Sequence, residues 1–294
     1  MHQDGANWSI AIFAHNEATH IAACIDSIVN AAGQHACRIH VLANGCSDDT
    51  ASVVARKQAA NSAVSLVTIG LADKANAWNH YIHGLAPSGA THFFVDGDVT
   101  LDGASLQRLD DCLRSSPVAN AAAAVPENGR DRTDWIRRMI RHGRVSGGLY
   151  ALQDTFVEHL RGQGIRIPVG LIGDDFLVSA LAKDMPAADA IYRASEKLAV
   201  VPDATFRFES ISERSPGALR AYLRRLVRYR VRSHQLGMLF DVTATRGFHA
   251  LPANMVDLYR EAPRLPGYYW RGAGTLIDWL AVTQIRNATK RAQA

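Results

Sequence analysis

The chain has few of the residues that bind structural zinc or form a disulfide network. Four of its 294 residues are cysteine. They are scattered along the chain, with no Cys-x-x-Cys pair and no nearby cluster of histidines: Cys24, Cys37, Cys46 and Cys112. This spacing argues against both kinds of site, and we therefore expect all four thiols to be reduced.

The sequence also lacks a long apolar run. No uninterrupted apolar segment approaches the length that crosses a bilayer, and residues 1–8 lack the charged start and apolar stretch of a signal peptide. We therefore expect a cytoplasmic protein. Hydrophobic residues make up 48% of the chain, which is enough for the core of one large α/β domain or two small ones.

Strand and helix patterns alternate in the first third of the chain. Short apolar strands are predicted at 8–14, 38–43, 64–69 and 91–95, and helices at 18–32, 48–60 and 74–85. Strands separated by helices of this length predict a parallel sheet covered on both faces. In such a sheet the ligand site lies at the carboxyl ends of the strands.

The fourth predicted strand ends at Asp96, Gly97 and Asp98. Two carboxylates at a sheet edge offer hard oxygen ligands, which suit a divalent cation that carries a diphosphate. Both can serve one ion only if the backbone turns between them, and Gly97 permits a turn. Taken alone, the motif is more simply explained as a strand end with two solvated acids.

Polar segments follow the other predicted strands as well. The first strand leads into residues 14–17, the second into 44–50, and the third is followed by 74–79. Each is ordinary by itself: Asn44 and Gly45 are typical of a turn, Asp48 of a helix cap, and Lys74 of a solvated surface. Their order along the chain is what points to a function.

In this order the motifs resemble those of the family 2 glycosyltransferases, inverting enzymes of the GT-A fold that use nucleotide-diphosphate sugars. The resemblance covers about residues 8–235. It implies an α/β fold, a Rossmann-like three-layer α/β/α sandwich with a mostly parallel central sheet. We expect a GT-A domain at 1–238, with a nucleotide-sugar half at about 1–100 and an acceptor half at about 101–238. A helical C-terminal extension would follow at 239–294.

The resemblance assigns a role to the strand-end residues. Asp98 together with Asp96 would hold Mn²⁺ or Mg²⁺. Asn44 stands where many relatives carry an acid that bonds the base, which leaves the identity of the base open. The residues with an implied donor-binding role in this part of the chain are Ala14, Glu17, Asn44, Lys74, Asp96 and Gly97.

Two later segments would lie beside the donor sugar and the acceptor. Gly147 and Gly148 resemble the family's glycine-containing segment, where backbone approaches the ligand closely. Residues 173–175 resemble the Gly-Glu-Asp motif, so Asp175 would be the catalytic base, with Asp174 in place of the usual glutamate. Gly147, Gly148 and Asp174 are thus assigned to the acceptor side.

A basic segment follows. Seven arginines lie between Arg214 and Arg232, and those at 220, 224, 228 and 232 share one face of a predicted helix. Within it, residues 225–229 resemble the family's Gln/Arg-x-x-Arg-Trp motif, with Tyr229 in place of tryptophan. The resemblance implies that Arg225 and Arg228 bind the donor, because guanidinium matches phosphate geometry.

The implied activity is that of a hexosyltransferase. It would move a sugar from a nucleotide-diphosphate sugar, most simply a UDP-sugar, to a hydroxyl of a glycan, a lipid-linked or a small-molecule acceptor. A nucleotidyltransferase acting on sugar phosphates is one alternative, but it would need a glycine-rich, basic phosphate loop after the first strand. A non-enzymatic protein that binds nucleic acid or an anionic membrane surface is another, but it leaves the strand-end motifs unexplained. We expect no nucleic-acid partner, while contact with the inner face of the membrane and a homodimer stay open.

Overall fold

The computed structural model describes residues 7–208, 218–262, 266–267, 272 and 274–291. Eight strands form one sheet. They are β1 (Asn7–Ala14), β2 (Cys37–Asn44), β3 (Val64–Ile69), β4 (Ala90–Asp96), β5 (Val99–Leu101), β6 (Ala121–Pro126), β7 (Leu149–Leu152) and β8 (Leu198–Phe208). Their order across the sheet is β3-β2-β1-β4-β7-β6-β8-β5.

Ten α-helices connect or follow these strands within the described ranges. They are α1 (Ile21–Ala32), α2 (Thr50–Ala60), α3 (Lys74–His80), α4 (Ser105–Ser115), α5 (Arg132–His142), α6 (Asp154–Gly162), α7 (Asp174–Lys183), α8 (Ala218–Arg246), α9 (Met255–Glu261) and α10 (Gly274–Arg291). A wider helical turn, Tyr81–Leu85, continues α3. All four predicted strands and all three predicted helices are therefore confirmed, although α1 begins at Ile21 rather than at residue 18.

The sheet is mixed, with more parallel than antiparallel pairings. β1 pairs in parallel with β2 and β4, β2 with β3, and β6 with β8. The pairings β4–β7, β6–β7 and β5–β8 are antiparallel. This confirms the predicted α/β class and the mostly parallel sheet.

Two apolar cores cover the two faces of the sheet. Alternate residues of β1 point to opposite faces, so Ile10 and Ile12 join one core while Ala11 and Phe13 join the other. Helices α1 and α4 pack on the first face, and α7, α8 and α10 contribute to the core on the second. The result is the expected three-layer sandwich, in which β1 is buried on both sides.

The C-terminal part of the chain is helical and packs against the body. The side chain of Asp278, on α10, is only 1% exposed. Its Oδ1 lies 3.2 Å from Nε2 of His234 and 3.1 Å from Nε of Arg230, and both of these residues lie on α8. Val282 and Ile285 of α10 are buried. α8 runs without interruption across residue 238, and the division of the chain at that point stays a prediction.

The exposed side of α10 carries Leu276 and Leu280. None of the helices in the described ranges combines the length and the apolar character needed to cross a membrane.

Candidate functional site

The carboxyl ends of three parallel strands meet at one edge of the sheet. β1 lies between β2 and β4, and the register places Ala14 opposite Ala43 and Phe13 opposite Asp96. The residues that follow each strand therefore share one region of space. This is the position at which ligands bind in open α/β sheets.

Gly97 turns the chain directly after β4. Its N–H donates to the carbonyl of Phe13 at 2.9 Å. A Cβ at this position would lie 3.0 Å from that oxygen and 3.2 Å from the Cβ of Ala14. The predicted turn is present at residues 97–98, and the glycine is required there by close packing against β1.

The strand ends enclose a cavity of about 230 Å³. Its lining combines three acids, one lysine, one amide, one imidazole, one aromatic ring and one glycine. They are Glu17, Asp96, Asp98, Lys74, Asn44, His15, Phe13 and Gly97. Five predicted donor residues and both predicted metal ligands thus line one cavity, and Ala14 lies directly behind Gly97.

The wall formed by β1 and β2 is fixed by local hydrogen bonds. Asn44 is 3% exposed, and its amide donates to the carbonyl of Leu42. The Glu17 N–H donates to Thr50 Oγ1 at 2.8 Å, and the Glu17 carboxylate lies 3.0 Å from His20 Nδ1. Burial raises the pKa of Glu17 despite the bond to His20, and the charge of Asp98 raises it further.

Lys74 connects the end of β4 to the start of α7. Its Nζ lies 2.6 Å from the Asp96 carboxylate and 3.5 Å from that of Asp174. Burial acts to lower the pKa of Lys74, but the charges of Asp174 and Asp96 outweigh it and raise that pKa well above its usual value. Lys74 is therefore a permanent cation between two predicted parts of the site.

The Asp96 carboxyl has a raised pKa of about 6. Burial is the largest cause, and Asp174 and Asp98 act in the same direction, whereas the charge and hydrogen bond of Lys74 act against it. A carboxyl in this state is ionised at neutral pH and takes up a proton in mild acid.

Gly147 and Gly148 lie close to the Lys74–Asp96 ion pair and to the ring of Phe206, respectively. A Cβ on Gly147 would lie 3.0 Å from Lys74 Nζ and 3.1 Å from the Asp96 carboxylate. A Cβ on Gly148 would lie 2.3 Å from the ring of Phe206. Position 148 therefore requires glycine for close packing, and Gly147 lies directly beside the Lys74–Asp96 pair.

Asp174 and Asp175 begin α7, and their side chains have different charged neighbours. Asp174 faces Lys74. Burial raises the pKa of Asp175, and the charge of Asp174 adds to this, while Arg232 and then Arg144 act against it. A carboxylate with a raised pKa is a suitable general base near neutral pH.

The structure does not bring Arg225 and Arg228 to this cluster through any contact among the described residues. Both are exposed on α8, and Arg225 Nε donates to the hydroxyl of Tyr229 at 2.5 Å. Their donor-binding role stays a prediction. Arg232, one helical turn beyond Arg228, lies beside Asp175 instead, together with Arg144 from the segment before β7.

The residues of the cavity fit a small divalent cation. Within the described ranges no group of three or more histidine, cysteine, aspartate or glutamate side chains is arranged to hold a metal. Mg²⁺ usually needs one or two protein carboxylates, with substrate phosphates and waters completing its shell. Asp98 has no ion pair with the described residues and Asp96 lies beside it, so the oxygen donors present match that requirement.

Comparisons with known proteins address the fold. No protein-family model matches the chain, and no curated protein sequence does either. Several solved structures do match the chain. A mannosyltransferase from Pyrobaculum calidifontis, in complex with GDP-Man and Mn²⁺, is 20% identical with a TM-score of 0.56, and the match covers 97% of this chain and 74% of that one.

Two further structures match over most of their own length. Glucosyl-3-phosphoglycerate synthase from Mycobacterium tuberculosis, in complex with Mn²⁺, UDP-glucose and phosphoglyceric acid, is 16% identical with a TM-score of 0.53, covering 80% of this chain and 79% of that one. S. aureus TarS is 12% identical with a TM-score of 0.52, covering 98% and 91%. The chain therefore has the fold of the GT-A glycosyltransferases, as the motif order predicts.

Proposed function

We propose that the protein is an inverting glycosyltransferase that moves a hexosyl group from a nucleotide-diphosphate sugar to an acceptor hydroxyl. The observation that carries the proposal is the position of Lys74. Its Nζ is 2.6 Å from Asp96 at the end of β4 and 3.5 Å from Asp174 at the start of α7. The predicted donor site and the predicted base, Asp175, thus belong to one continuous cluster.

The donor would lie in the cavity at the strand ends. Glu17 and Asn44 form its β1–β2 wall, where the nucleoside would bind, and Lys74 offers a cation to the diphosphate. The matched structures support a nucleotide sugar, since they hold GDP-Man, UDP-glucose and, in a second structure of TarS, UDP-GlcNAc. We propose a UDP-sugar as the donor.

A divalent cation would be held by Asp98 and Asp96. Such an ion, Mn²⁺ or Mg²⁺, stabilises the negative charge that develops on a departing diphosphate. The matched structures that contain Mn²⁺ support this assignment. Lys74 would add a second positive charge to the same leaving group.

Asp175 would act on the acceptor. Its carboxylate takes the proton of the acceptor hydroxyl while that oxygen forms a bond to the anomeric carbon of the sugar. The bond from the anomeric carbon to the diphosphate oxygen breaks at the same time, and the electron pair leaves with the nucleoside diphosphate. A single displacement of this kind inverts the anomeric configuration.

Calorimetric titration with UDP and GDP, each with Mn²⁺ and with EDTA, tests the donor site. We expect one nucleotide to bind in the presence of the metal only, and Asp98→Asn to abolish that binding. Asp111→Asn is the matched control, because Asp111 lies outside the cavity and bonds Gln107 on the surface of α4. Absence of binding for both nucleotides would refute the proposed donor.

The stereochemistry is tested separately by nuclear magnetic resonance of the product formed with a donor that binds. A product with the anomeric configuration opposite to that of the donor supports the single displacement. Retention would show that Asp175 is not a simple general base.

A further inference from the structure

Two arginines outside the predicted donor motif stack on one aromatic ring. Arg144 lies between α5 and β7, and its Cζ is 3.8 Å from the ring centroid of Phe176. Arg232 lies on α8, and its Cζ is 4.7 Å from the same centroid and 4.7 Å from that of Tyr229. A guanidinium group within about 6 Å of a ring face is attracted to it. Phe176 therefore holds two cations next to Asp175, the preceding residue.

Gly173 allows Arg232 to reach this position. The glycine has φ of +90°, and a Cβ there would lie 2.3 Å from Arg232 Cδ and 2.9 Å from its Cγ. The stem of Arg232 thus passes directly over the backbone at the start of α7. A residue with a side chain at 173 would displace it.

Asp175 is the carboxylate whose charge acts on both guanidinium groups, but among the described residues it forms no ion pair with either. No hydrogen bond or ion pair joins the side chain of Arg144 or Arg232 to a described residue, and both are half-buried. Burial lowers the pKa of Arg144, Asp175 opposes that effect, and the charge of Arg232 adds to it. Two adjacent, partly buried cations without a carboxylate in contact are costly in free energy, and a bound anion would remove much of that cost.

The arginine pair lies next to the predicted base, because both guanidinium groups stack on Phe176, the residue that follows Asp175. The charges that act on Asp175 are, in decreasing order, those of Asp174, Arg232, Arg144 and Lys74. Lys74, in contrast, contacts Asp174 and Asp96. An acceptor hydroxyl must come within hydrogen-bond reach of the base. Another group of the same acceptor would then be within reach of the two arginines.

We propose that Arg144 and Arg232 form an oxyanion site that holds a phosphate or carboxylate group of the acceptor, which is therefore an anionic hydroxyl compound. This inference rests on the proposed glycosyl transfer and adds the acceptor class to it. Guanidinium groups match both phosphate and carboxylate through paired N–H donors. The stacking on Phe176 orients those donors in advance.

The test is calorimetric titration of inorganic phosphate, and separately of acetate, into protein whose donor site is saturated with the nucleoside diphosphate and Mn²⁺. Filling the donor site first prevents phosphate from binding at Lys74. The variants are Arg144→Gln, Arg232→Gln and the double variant. Arg141→Gln and Arg246→Gln are matched controls, because Arg141 is exposed on α5, three residues before Arg144, and Arg246 is exposed on α8, the helix that carries Arg232.

We expect phosphate or acetate affinity to fall at least tenfold in each single variant, whereas the controls stay within twofold of the wild type. Nucleotide affinity should be unchanged in all variants, which also shows that they are folded. If the wild-type protein binds phosphate more tightly than acetate, a phosphorylated acceptor is indicated. If it binds acetate more tightly than phosphate, a carboxylated acceptor is indicated.

Equal anion affinity in the wild type and the double variant would overturn the inference. Loss of nucleotide affinity in Arg144→Gln or Arg232→Gln would overturn it as well, because the arginines would then serve the donor. If the wild-type protein bound no nucleotide but the variants still lost phosphate, the anion site would stand while the proposed glycosyl transfer would fall.

Discussion

Lys74 keeps Asp96 ionised, so replacing it by methionine should raise the lower pH limit of nucleotide binding. The pKa of Asp96 is about 6, as burial raises it and Lys74 at 2.6 Å opposes that rise. Methionine has nearly the length of lysine and carries no charge. The Lys74→Met variant therefore removes the opposing charge with little change in packing.

The size of the effect follows from the contact distance. An opposite charge within about 4–6 Å lowers the pKa of a carboxyl by roughly 1–3 units, so that of Asp96 should rise from about 6 to about 8 in the variant. At pH 7 the ionised fraction of Asp96 would fall from about nine tenths to about one tenth, which weakens metal-dependent nucleotide binding about tenfold, or by about 1.4 kcal/mol. Affinity should return as the pH rises through about 8.

The assay is calorimetric titration of UDP with Mg²⁺ from about pH 5.5 to about pH 9. Lys57→Met is the matched control, because Lys57 Nζ is also 2.6 Å from a carboxylate, that of Asp26, but this pair lies on α2 and α1 outside the cavity. If Lys74 also contacted the diphosphate directly, the Lys74→Met variant would lose nucleotide affinity by an additional factor that is the same at every pH. A loss of affinity that does not depend on pH would therefore refute the argument from Asp96.

Three further predictions concern the base, the glycine segment and a buried lysine. Asp175→Asn should lower the rate of transfer by about 10²–10⁴, measured as nucleotide release, with nucleotide affinity unchanged; lost affinity would place Asp175 in the donor site. Gly148→Ala should lower the free energy of unfolding in urea by about 1–3 kcal/mol, because its Cβ would be 2.3 Å from the Phe206 ring. Lys183 is 2% exposed and donates to three main-chain carbonyls, and burial and then the charge of Arg144 lower its pKa from 10.5 to about 8. Between about pH 8 and 10.5 the unfolded chain binds more protons at this lysine than the folded protein does. The free energy of unfolding should therefore increase by about 3 kcal/mol over this pH range. In Lys183→Met that increase should be absent, and an equal increase in both proteins would contradict the assignment.

Local pattern was enough to predict the first half of the sheet. Strand β3 has the predicted bounds, β1 begins one residue earlier than predicted, and β2 and β4 are each one residue longer at both ends. These strands are apolar runs between helices with a clear period, so sequence periodicity reports their burial directly. The order of the strand-end motifs then predicted which side chains line one cavity.

The second half of the sheet could not be predicted in this way. β6 is Ala121–Pro126, a run of four alanines followed by valine and proline, and every residue in it is buried. Alanine favours helix, so its strand conformation depends on pairing with β7 and β8 rather than on local preference. β7 has only four residues, too few to show a period.

The sequence pattern also could not identify which arginines lie next to Asp175. A repeat of four residues places Arg228 and Arg232 on one side of α8, but it does not say which turn of the helix faces α7. The structure answers this through Gly173, whose missing side chain leaves room for Arg232. Arg144 belongs to no repeat and comes from another part of the chain, so no sequence pattern singles it out.

The relative placement of the two halves of the site depends on Asp73. One oxygen of its carboxylate accepts from the N–H of Asn76 at 2.7 Å and so begins α3, the helix whose first residue is Lys74. The other oxygen accepts from the N–H of Gly170 at 2.9 Å, in the segment that leads to Asp174 and Asp175. A single side chain thus fixes both Lys74, which contacts Asp96, and the loop that carries the proposed base, Asp175. Because general-base catalysis requires the acceptor hydroxyl and the base within hydrogen-bond reach, Asp73 should set the alignment between donor and base without contacting either substrate.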